Sequence, residues 1–343
     1  MDPFVFIFSV FLIILGLGIL RNWTVTEVKE LSYSIIIACR NEEKNLPGLF
    51  DSLSKLNYPK DKFEIITVDD ASTDNSYQMI KSFSDEQLNA SSFQLKEKSK
   101  EYLGKKAALK LATENAKFEI LLFTDADCFP HKDWISSYNN YFTDKTGFVA
   151  GSYEEINAGY FRRFCNQLSS AIYACTIGLG FPFSAAGGNM AVRKETFEQV
   201  NGYETIKQHI AGDDKQLLNL IKDTSWEIRY NPEILVSTEA DLSDSHHRDK
   251  RKYGKFGMSS PLFQVFSIII FLFYLYLPFR IIIMQEWLNF FSYFLGGILF
   301  WSANLIKHNF KFALLDFIFI VIYPYYIIYY SILGLSGNWK WKN

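Results

Sequence analysis

Two aspartates, Asp125 and Asp127, lie one residue apart at the end of the apolar stretch "LLFTDADCFP" (121–130). Carboxylates in such a place are costly unless a cation meets them, and like charges that lie close together repel each other. A divalent cation is a natural neutraliser, and Mg²⁺ or Mn²⁺ suits a carboxylate site that leaves positions for phosphate oxygens. If the chain stays extended, both side chains share one side. The competing interpretation is a solvated turn in which Asp127 caps a helix.

A second acidic pair, Asp69-Asp70, ends the run "FEIITVDD" (63–70). One interpretation is a carboxylate that accepts hydrogen bonds from the base or ribose of a nucleotide. The other is a turn that leads into a helix and is capped by an acid. Taken alone, the pair favours the interpretation as a turn. Its position among other acidic strand ends shifts the balance towards the nucleotide-binding interpretation.

The segments that hold these acids alternate between strand and helix patterns. The predicted strands are 33–39, 63–70, 91–95, 118–127 and 147–156, with helices after Asn45, after 71–75 and over 104–116. This order predicts a doubly wound α/β fold, Rossmann-like, with a mostly parallel sheet and flanking helices. Ligands bind beyond the carboxyl ends of such strands. We therefore expect Cys39-Arg40-Asn41, Asp69-Asp70 and Asp125-Asp127 to converge on one crevice.

Six segments, taken in order, resemble the signature blocks of family 2 glycosyltransferases, which have the GT-A fold and use nucleotide-sugar donors. They are "SIIIACRNEEKNL", "IITVDDASTDNS", "GKKAALKLA", "LLFTDADC", "GGNMAVRKETFEQVNGY" and "AGDDKQLL". The resemblance covers about residues 32–255. As an ordered set the blocks are specific, although most of them are weak individually.

The resemblance implies donor-side roles for several residues. Asp69 or Asp70, with the backbone near Ala38, holds the nucleoside, and Lys105 lies near the donor. Asp125 approaches the ribose or the sugar, and Asp127 binds the Mg²⁺ or Mn²⁺ that bridges the diphosphate. The further donor-side positions are Arg40, Glu42, Arg248 and Arg251.

The resemblance also implies an acceptor side. The pair Asp213-Asp214 stands where the family usually has Glu-Asp, and Asp214 is then the general base that takes a proton from the acceptor hydroxyl. Gly188, Asn189 and Asp213 are the other acceptor-side positions. A sugar leaves a diphosphate through an oxocarbenium-like state, so negative charge grows on the departing phosphate and a metal offsets it. One displacement with one base predicts inversion at the anomeric carbon.

A basic segment, "SHHRDKRKYGK" (245–255), follows the catalytic region. Many membrane relatives have Q-x-x-R-W or Q-R-x-x-R-W here, and neither Gln nor Trp is kept in this chain. The segment fits cationic groups that stabilise the diphosphate, and it fits equally a juxtamembrane patch held by anionic lipid. The departure weakens an assignment to processive polymer synthesis.

Long apolar stretches flank the polar domain at 3–20, 262–284, 287–306 and 312–334. The first is long enough to cross a bilayer and is followed by Arg21, which favours an uncleaved anchor over a signal peptide and predicts a cytoplasmic catalytic domain. We predict a multi-pass protein of the cytoplasmic (inner) membrane. Pro278, Arg280 and Glu286 make 262–284 the candidate for an interfacial or re-entrant segment. The predicted domains are an anchor (1–21), the GT-A domain (30–240), a basic juxtamembrane segment (241–260) and a C-terminal membrane region of two or three helices (262–335).

The apolar centre of 161–194, residues 168–182, has two interpretations. It is either a buried core helix or an interfacial helix that admits a lipid-linked acceptor. We favour the interfacial helix because membrane stretches flank the domain on both sides.

The leading hypothesis is an inverting, metal-dependent membrane glycosyltransferase that glycosylates a lipid or lipid-linked acceptor. A polysaccharide synthase and a non-catalytic membrane scaffold are the alternatives. The net charge of −2 gives no support to a nucleic-acid partner, and none is predicted. The four cysteines lack metal-ligand spacing and predict ordinary reduced thiols.

Overall fold

The computed structural model describes residues 2–209, 212–239 and 261–335. The chain divides into two compact units. The larger comprises Gly18–Asn157 and Asn166–Glu239, and the smaller comprises Met1–Leu17, Ala158–Cys165 and Ala240–Asn343. Each is described by itself below.

The larger unit is built on a seven-stranded sheet. Its strands are β1 (Tyr33–Cys39), β2 (Phe63–Asp70), β3 (Ala90–Leu95), β4 (Ile120–Asp125), β6 (Thr146–Ala150), β8 (Met190–Arg193) and β9 (Glu227–Tyr230). Their order across the sheet is β3-β2-β1-β4-β8-β6-β9. Strand β8 runs antiparallel to both of its neighbours, and the other pairs are parallel. The predicted α/β fold with a mostly parallel sheet is confirmed.

The register at the centre of the sheet brings the acidic strand ends together. Cys39 of β1 pairs with Asp69 of β2, and Ala38 pairs with Asp125 of β4 on the other side. Because these strands are parallel neighbours, their carboxyl ends lie at one edge of the sheet. The predicted convergence of the three strand ends is therefore present.

Helices cover both faces of this sheet. They are α2 (Leu46–Ser54), α3 (Ser76–Glu86), α4 (Lys106–Glu114), α5 (Trp134–Tyr138), α7 (Lys194–Gln199) and α8 (Asp213–Lys222). Ile35 and Ile37 pack with α2, α3 and α5 in one core cluster. Ile36 points to the opposite face because side chains alternate along a strand, and it is also fully buried. Burial on both faces explains why β1 is a continuous apolar run rather than an alternating one.

A second sheet contains β5 (Cys128–Pro130), β7 (Glu154–Ile156) and β10 (Val236–Glu239), with β10 in the middle. The prediction of a single strand over 147–156 is wrong, because this segment divides into β6 in the main sheet and β7 in the second sheet. The break falls at Gly151, where an added Cβ would lie 2.7 Å from the Tyr138 hydroxyl. The close packing at Gly151 marks the point where the chain leaves the main sheet.

Helix α6 (Tyr160–Gly178) holds most of the apolar segment with two interpretations. Its part in the larger unit buries Ala171, Ala174 and Cys175. Gly18 lies so close to this part that an added Cβ would be 2.7 Å from the Cys175 carbonyl oxygen. One face of this part of α6 is therefore packed inside the larger unit, and contact of its partly buried face with a membrane stays a prediction. Phe181, beyond the helix, is 53% exposed.

The smaller unit contains the apolar helices. Helix α1 spans Pro3–Leu20, α9 spans Pro261–Pro278, α10 spans Trp287–His308 and α11 spans Leu315–Leu335. By length and composition alone, three described segments could cross a membrane, namely Pro3–Leu20, Trp287–His308 and Leu315–Leu333. A further apolar helical stretch, Ser267–Ile283, is shorter. It lies within 262–284, the segment predicted to be interfacial or re-entrant. The predicted basic segment 241–260 lies outside the described residues.

Polar groups tie the start of α1 to α9 and α10 within the smaller unit. The Tyr276 hydroxyl donates to the Asp2 carboxylate at 2.7 Å, and the Asp2 amide donates to Asn289 Oδ1 at 2.8 Å. Arg280 pairs with Glu286 at 2.6 Å and approaches Asp2 at 3.4 Å. These mutually satisfied polar groups fix which helix ends lie together, since an unpaired charge among apolar helices is costly.

Candidate active site

The loops that follow β1 and β2 are joined by side-chain hydrogen bonds. Asn41 and Ala71, one in each loop, have positive φ angles of 53° and 56°. Asn41 Oδ1 accepts the Thr73 amide at 2.8 Å, and the Asn41 amide donates to the Ser72 hydroxyl at 2.9 Å. Asparagine tolerates this conformation readily, whereas alanine does not. The strained alanine is held by the loop around it, as is common near functional sites.

The predicted nucleoside-binding residues lie at this edge. The Asp69 side chain is fully buried, and its Oδ2 accepts the Ser72 amide at 3.2 Å. Its Oδ1 has no hydrogen-bond partner among the described residues. Arg40 donates from Nη1 to the Asp70 carbonyl oxygen at 3.1 Å, while its buried Nε has no partner in the described part of the chain. The ends of β1 and β2 therefore hold a buried acceptor and a buried donor that no described residue satisfies.

The carboxyl group of Asp70 loses its proton less readily than that of an ordinary aspartate. Burial raises the pKa of the Asp70 carboxyl, and the nearby Arg40 guanidinium opposes that rise. The two groups are thus linked electrostatically at the end of β2.

Asp125 and Asp127 lie in contact range with Cys128. A carboxylate oxygen from each aspartate and the Cys128 sulfur all lie within 4.8 Å of one another. Burial raises the pKa of Asp127 to about 6, and the charges of Asp125 and Glu42 act in the same direction. Glu42 therefore adds a third carboxylate to the electrostatics of the D-x-D pair. A cation beside Asp127 would relieve this crowding.

The path of the chain through the D-x-D pair differs from the extended one considered for the sequence. Strand β4 ends at Asp125, and Ala126-Asp127 form a turn before β5. The Thr238 hydroxyl of β10 holds this turn by donating to the Asp127 carbonyl oxygen at 2.8 Å. The carboxylates are thus brought together by a turn that the second sheet supports, and not by the two-residue repeat of a strand.

Lys105 connects the D-x-D pair to helix α8. Its ammonium group pairs with the Asp125 carboxylate and lies 3.8 Å from Asp213 Oδ2. Burial opposes the charge of Lys105, but Asp125 and Asp213 outweigh burial and raise its pKa. Lys105 is therefore a permanent cation between the two acidic segments.

Asp213 and Asp214 begin helix α8, where the helix dipole favours negative charge. Both oxygens of Asp213 face lysines, because Lys106 Nζ lies 3.2 Å from Oδ1 and Lys105 approaches Oδ2. Asp214 has no lysine within salt-bridge distance among the described residues. Its Oδ1 accepts the Lys215 amide at 2.7 Å. Burial, followed by the charge of Asp213, raises the pKa of Asp214.

The glycine loop before β8 runs between the two acidic segments. A Cβ added to Gly188 would lie 3.1 Å from Asp125 Oδ2, and one added to Gly187 would lie 3.4 Å from Asp214 Oδ2. The backbone therefore approaches both carboxylates where a side chain would crowd them. A pocket opens here. It is lined by Lys105, Leu109, Phe123, Thr124, Asp125, Gly187, Met190, Tyr203, Asp213 and Asp214.

Asn189 does not face an acceptor, and its predicted acceptor-side position is corrected. Only 1% of the residue is exposed. Its Oδ1 accepts hydrogen bonds from Trp134 Nε1 at 2.8 Å and from the Tyr138 hydroxyl at 2.7 Å. Its Nδ2 donates to the Ser152 carbonyl oxygen at 2.6 Å. All of these partners lie inside the domain, so Asn189 anchors the glycine loop.

Asp213 lines the pocket beside Asp214, and its acceptor-side position stays a prediction, with a lysine near each of its carboxylate oxygens. The predicted donor-side residues Arg248 and Arg251 lie outside the described residues. Sequence reasoning missed Lys106, although a charged residue on the apolar face of α4, three positions before Leu109, is a detectable signal. It also missed the hydroxyls of Tyr203 and Thr124, which line the pocket and have no partner among the described residues.

We predict that Asn189→Ala lowers the free energy of unfolding by about 2–4 kcal/mol, because Trp134 and Tyr138 lose their buried acceptor. Chemical denaturation of the protein in detergent measures the loss. Asn57→Ala, at an exposed position, is the control and should change little. Unchanged stability together with a raised acceptor KM would instead support an acceptor contact at Asn189.

We predict that Ala71→Gly raises the free energy of unfolding by about 0.5–1 kcal/mol. Relief of the left-handed strain at φ 56° outweighs the added freedom of glycine in the unfolded chain. Ala108→Gly is the matched control and should destabilise the protein, because Ala108 is a buried helical residue. A loss of stability at Ala71→Gly would show that the loop does not strain this residue.

Comparison with known proteins identifies the type of domain that part of the chain forms. Residues 34–200 match the sequence model of "Glycosyl transferase family 2". The "Poly(ribitol-phosphate) beta-N-acetylglucosaminyltransferase TarS" of Staphylococcus aureus is 33% identical over 105 residues, which are 31% of this chain and 18% of that protein. The "Probable glycosyltransferase YdaM" of Bacillus subtilis is 25% identical over 221 residues, 61% of this chain and 51% of that protein. The matches therefore span about half or less of these relatives.

The fold is also found in a solved structure, "Mannosyltransferase PcManGT from Pyrobaculum calidifontis in complex with GDP-Man and Mn2+". The two chains are 17% identical with a TM-score of 0.61, and the alignment covers 97% of this chain and 99% of the other. The fold is the predicted GT-A fold. Residues 34–200 therefore match a "Glycosyl transferase family 2" domain, and relatives of the chain are named glycosyltransferases.

Proposed function

We propose that this protein is an inverting, metal-dependent glycosyltransferase that moves a sugar from a nucleotide-sugar donor to a lipid or lipid-linked acceptor. The observation that carries the proposal is the arrangement around the glycine loop. Asp125 and Asp214 approach neighbouring glycines of this loop and line one pocket with Lys105. A donor diphosphate and an acceptor hydroxyl can then meet between an acidic metal-binding segment and a separate base.

The acidic cluster fits a hard divalent cation. Asp125 and Asp127 offer carboxylate oxygens within a short distance of each other, and such oxygens are the ligands that Mg²⁺ and Mn²⁺ prefer. The Cys128 thiol is buried, and burial raises its pKa, so it is a poorer ligand for these ions. A bound ion would supply positive charge against the departing diphosphate.

The donor-binding residues supply recognition and position. Asp69 Oδ1 and Arg40 Nε are buried and have no partner among the described residues, so in the proposal they become accessible when the nucleoside binds, and Asp69 accepts from it while Arg40 donates to it. Lys105, held by Asp125 and Asp213, presents a fixed charge near the phosphates. Because these groups come from three different strand ends or loops, they can contact the donor from several sides and orient it.

Asp214 is the proposed general base. It lacks the lysine partners of Asp213, and its raised pKa makes it a stronger base than an ordinary aspartate. The Gly187 backbone leaves room beside its Oδ2. In the proposed step the acceptor hydroxyl gives its proton to Asp214 while its oxygen attacks the anomeric carbon and the nucleoside diphosphate leaves.

The lipid acceptor is supported by the apolar helices of the smaller unit. Three of them are long and apolar enough to cross a membrane. A chain anchored in this way meets its acceptor at the membrane surface, which we propose to be the cytoplasmic face of the inner membrane. The S. aureus relative is named as a poly(ribitol-phosphate) glycosyltransferase, so that polymer belongs in the test beside lipids.

The experiment that tests the function incubates the full-length protein with UDP-sugars and GDP-sugars, Mn²⁺ or Mg²⁺, and either a membrane lipid extract or poly(ribitol-phosphate). GDP-mannose is included because the P. calidifontis enzyme binds it. Mass spectrometry of the products identifies donor and acceptor and distinguishes one transfer from polymerisation. Transfer to the polymer alone would reject the lipid acceptor, and no transfer to any acceptor would reject the proposed function.

We predict that Asp127→Asn abolishes Mn²⁺-dependent binding of the donor's nucleoside diphosphate, because a charged oxygen ligand is lost. Isothermal titration calorimetry measures the binding with and without Mn²⁺. Asp133→Asn, at a half-exposed acid after β5, is the control and should bind normally. Equal affinities of the Asp127→Asn variant and the wild type would remove Asp127 from the metal site.

We predict that Asp214→Asn lowers kcat by about 10²–10⁴-fold, the range of a lost general base, with little change in donor affinity. In the wild type, kcat at saturating metal should fall as pH falls through the raised pKa of Asp214, because the protonated carboxyl accepts no proton. That acidic limb should vanish in the residual activity of the variant. A near-normal rate in a folded Asp214→Asn protein would exclude this base.

A further inference from the structure

Lys106 is a fully buried lysine beside the site. It is 0% exposed and lies at the first position of α4. A cation at a helix N-terminus is opposed by the helix dipole, and a buried cation needs a partner. The partners are on one segment of the chain, because Lys106 Nζ donates to the His209 carbonyl oxygen and lies 3.2 Å from Asp213 Oδ1.

The segment that Lys106 contacts is fastened to the loop before α4 at further points. The Leu103 amide donates to the Lys207 carbonyl oxygen at 2.8 Å. Gln208 Nε2 donates to the Glu101 carbonyl oxygen at 3.1 Å, and Lys207 Nζ donates to Glu101 Oε1 at 2.7 Å. These contacts join the loop that carries Lys105 to the segment that leads into α8.

Lys105 and Lys106 each pair with a different carboxylate oxygen of Asp213. Lys105 reaches one oxygen of Asp213 and also holds Asp125, and about a third of its side chain (36%) is exposed to the pocket. Lys106 holds the other oxygen and is sealed from solvent. Asp213 is the residue before Asp214, so fixing Asp213 fixes the first turn of α8 and the direction of the Asp214 side chain.

We propose that Lys106 is a positioning residue, which acts through Asp213 to hold Asp214 in place for proton abstraction. This inference rests on the proposed function of Asp214. Lys106 does not itself line the pocket, and the lining residue that it pairs with is Asp213. Its loss therefore affects the chemical step and leaves the donor-binding groups in place.

The first test compares Lys106→Met with wild type, using the donor that supports transfer. We expect kcat to fall by about 10–100-fold, the size of an effect from a misplaced catalytic group, with donor KM changed by less than about threefold. Lys110→Met is the matched control one turn along α4, where the lysine pairs with Glu114 on the surface, and it should behave as wild type. A donor KM that rises as much as kcat falls would overturn the proposal.

A double-mutant comparison separates positioning from general destabilisation. If Lys106 acts through Asp213, adding Lys106→Met to Asp213→Asn should lower kcat by less than about twofold, whereas independent effects multiply. The double variant also buries no unpaired carboxylate, so it keeps the test available if Lys106→Met alone does not fold. Multiplying losses would overturn the proposal.

A measurement without substrate keeps this proposal distinct from the function on which it rests. The Gln216 amide donates to the Gly212 carbonyl oxygen at 2.8 Å in the first turn of α8. We expect hydrogen exchange at this amide to be about tenfold faster in Lys106→Met, because local opening becomes easier. If the wild type transfers no sugar but this exchange accelerates, the proposed function fails and the anchoring of α8 stands. Unchanged exchange overturns the anchoring itself.

Discussion

The Lys105 ammonium group is the interaction on which the site depends, since it is the one described cation that pairs with both acidic segments. Asp125 ends a strand, and Asp213 begins a helix more than eighty residues later in the chain. Without a cation between them, the two carboxylates would repel across the pocket. Lys105 converts that repulsion into a bridge, so strand β4 and helix α8 are held at a fixed separation on either side of the glycine loop.

The counterions also explain why adjacent aspartates differ. Asp213 faces two lysines, whereas Asp214 accepts a backbone N–H and has no lysine within salt-bridge distance among the described residues. A carboxylate that is neutralised by a cation is a weak base. An aspartate whose pKa is raised by burial and by a neighbouring negative charge is a stronger base. The partners of a side chain decide the role of Asn189 as well. Its side-chain hydrogen bonds lie inside the domain, so Asn189 anchors the glycine loop.

The sequence predicts the sheet well because strands buried on both faces are continuous β-branched runs, and β1 and β2 match the predicted limits. The 147–156 prediction fails because pairing partners decide where such a run ends. Strand β7 joins β10, which lies some eighty residues later. Likewise, the acids can be identified from their places after strands, but the partners of Asp213 and Asn189 come from distant segments. The buried state of Lys106 depends on the same long-range contacts.

The balance of charge explains why a divalent ion belongs in the proposed mechanism. Five carboxylates, those of Glu42, Asp125, Asp127, Asp213 and Asp214, surround the described site, and Lys105 and Lys106 are the lysines paired within it. A nucleoside diphosphate would add further negative charge to a group that is already acidic. Burial and two acids raise the pKa of Asp127 to about 6, so this carboxylate is incompletely neutralised by the lysines. In the proposed mechanism, donor and cation would bind together, because each makes the other's charge tolerable in a half-buried pocket.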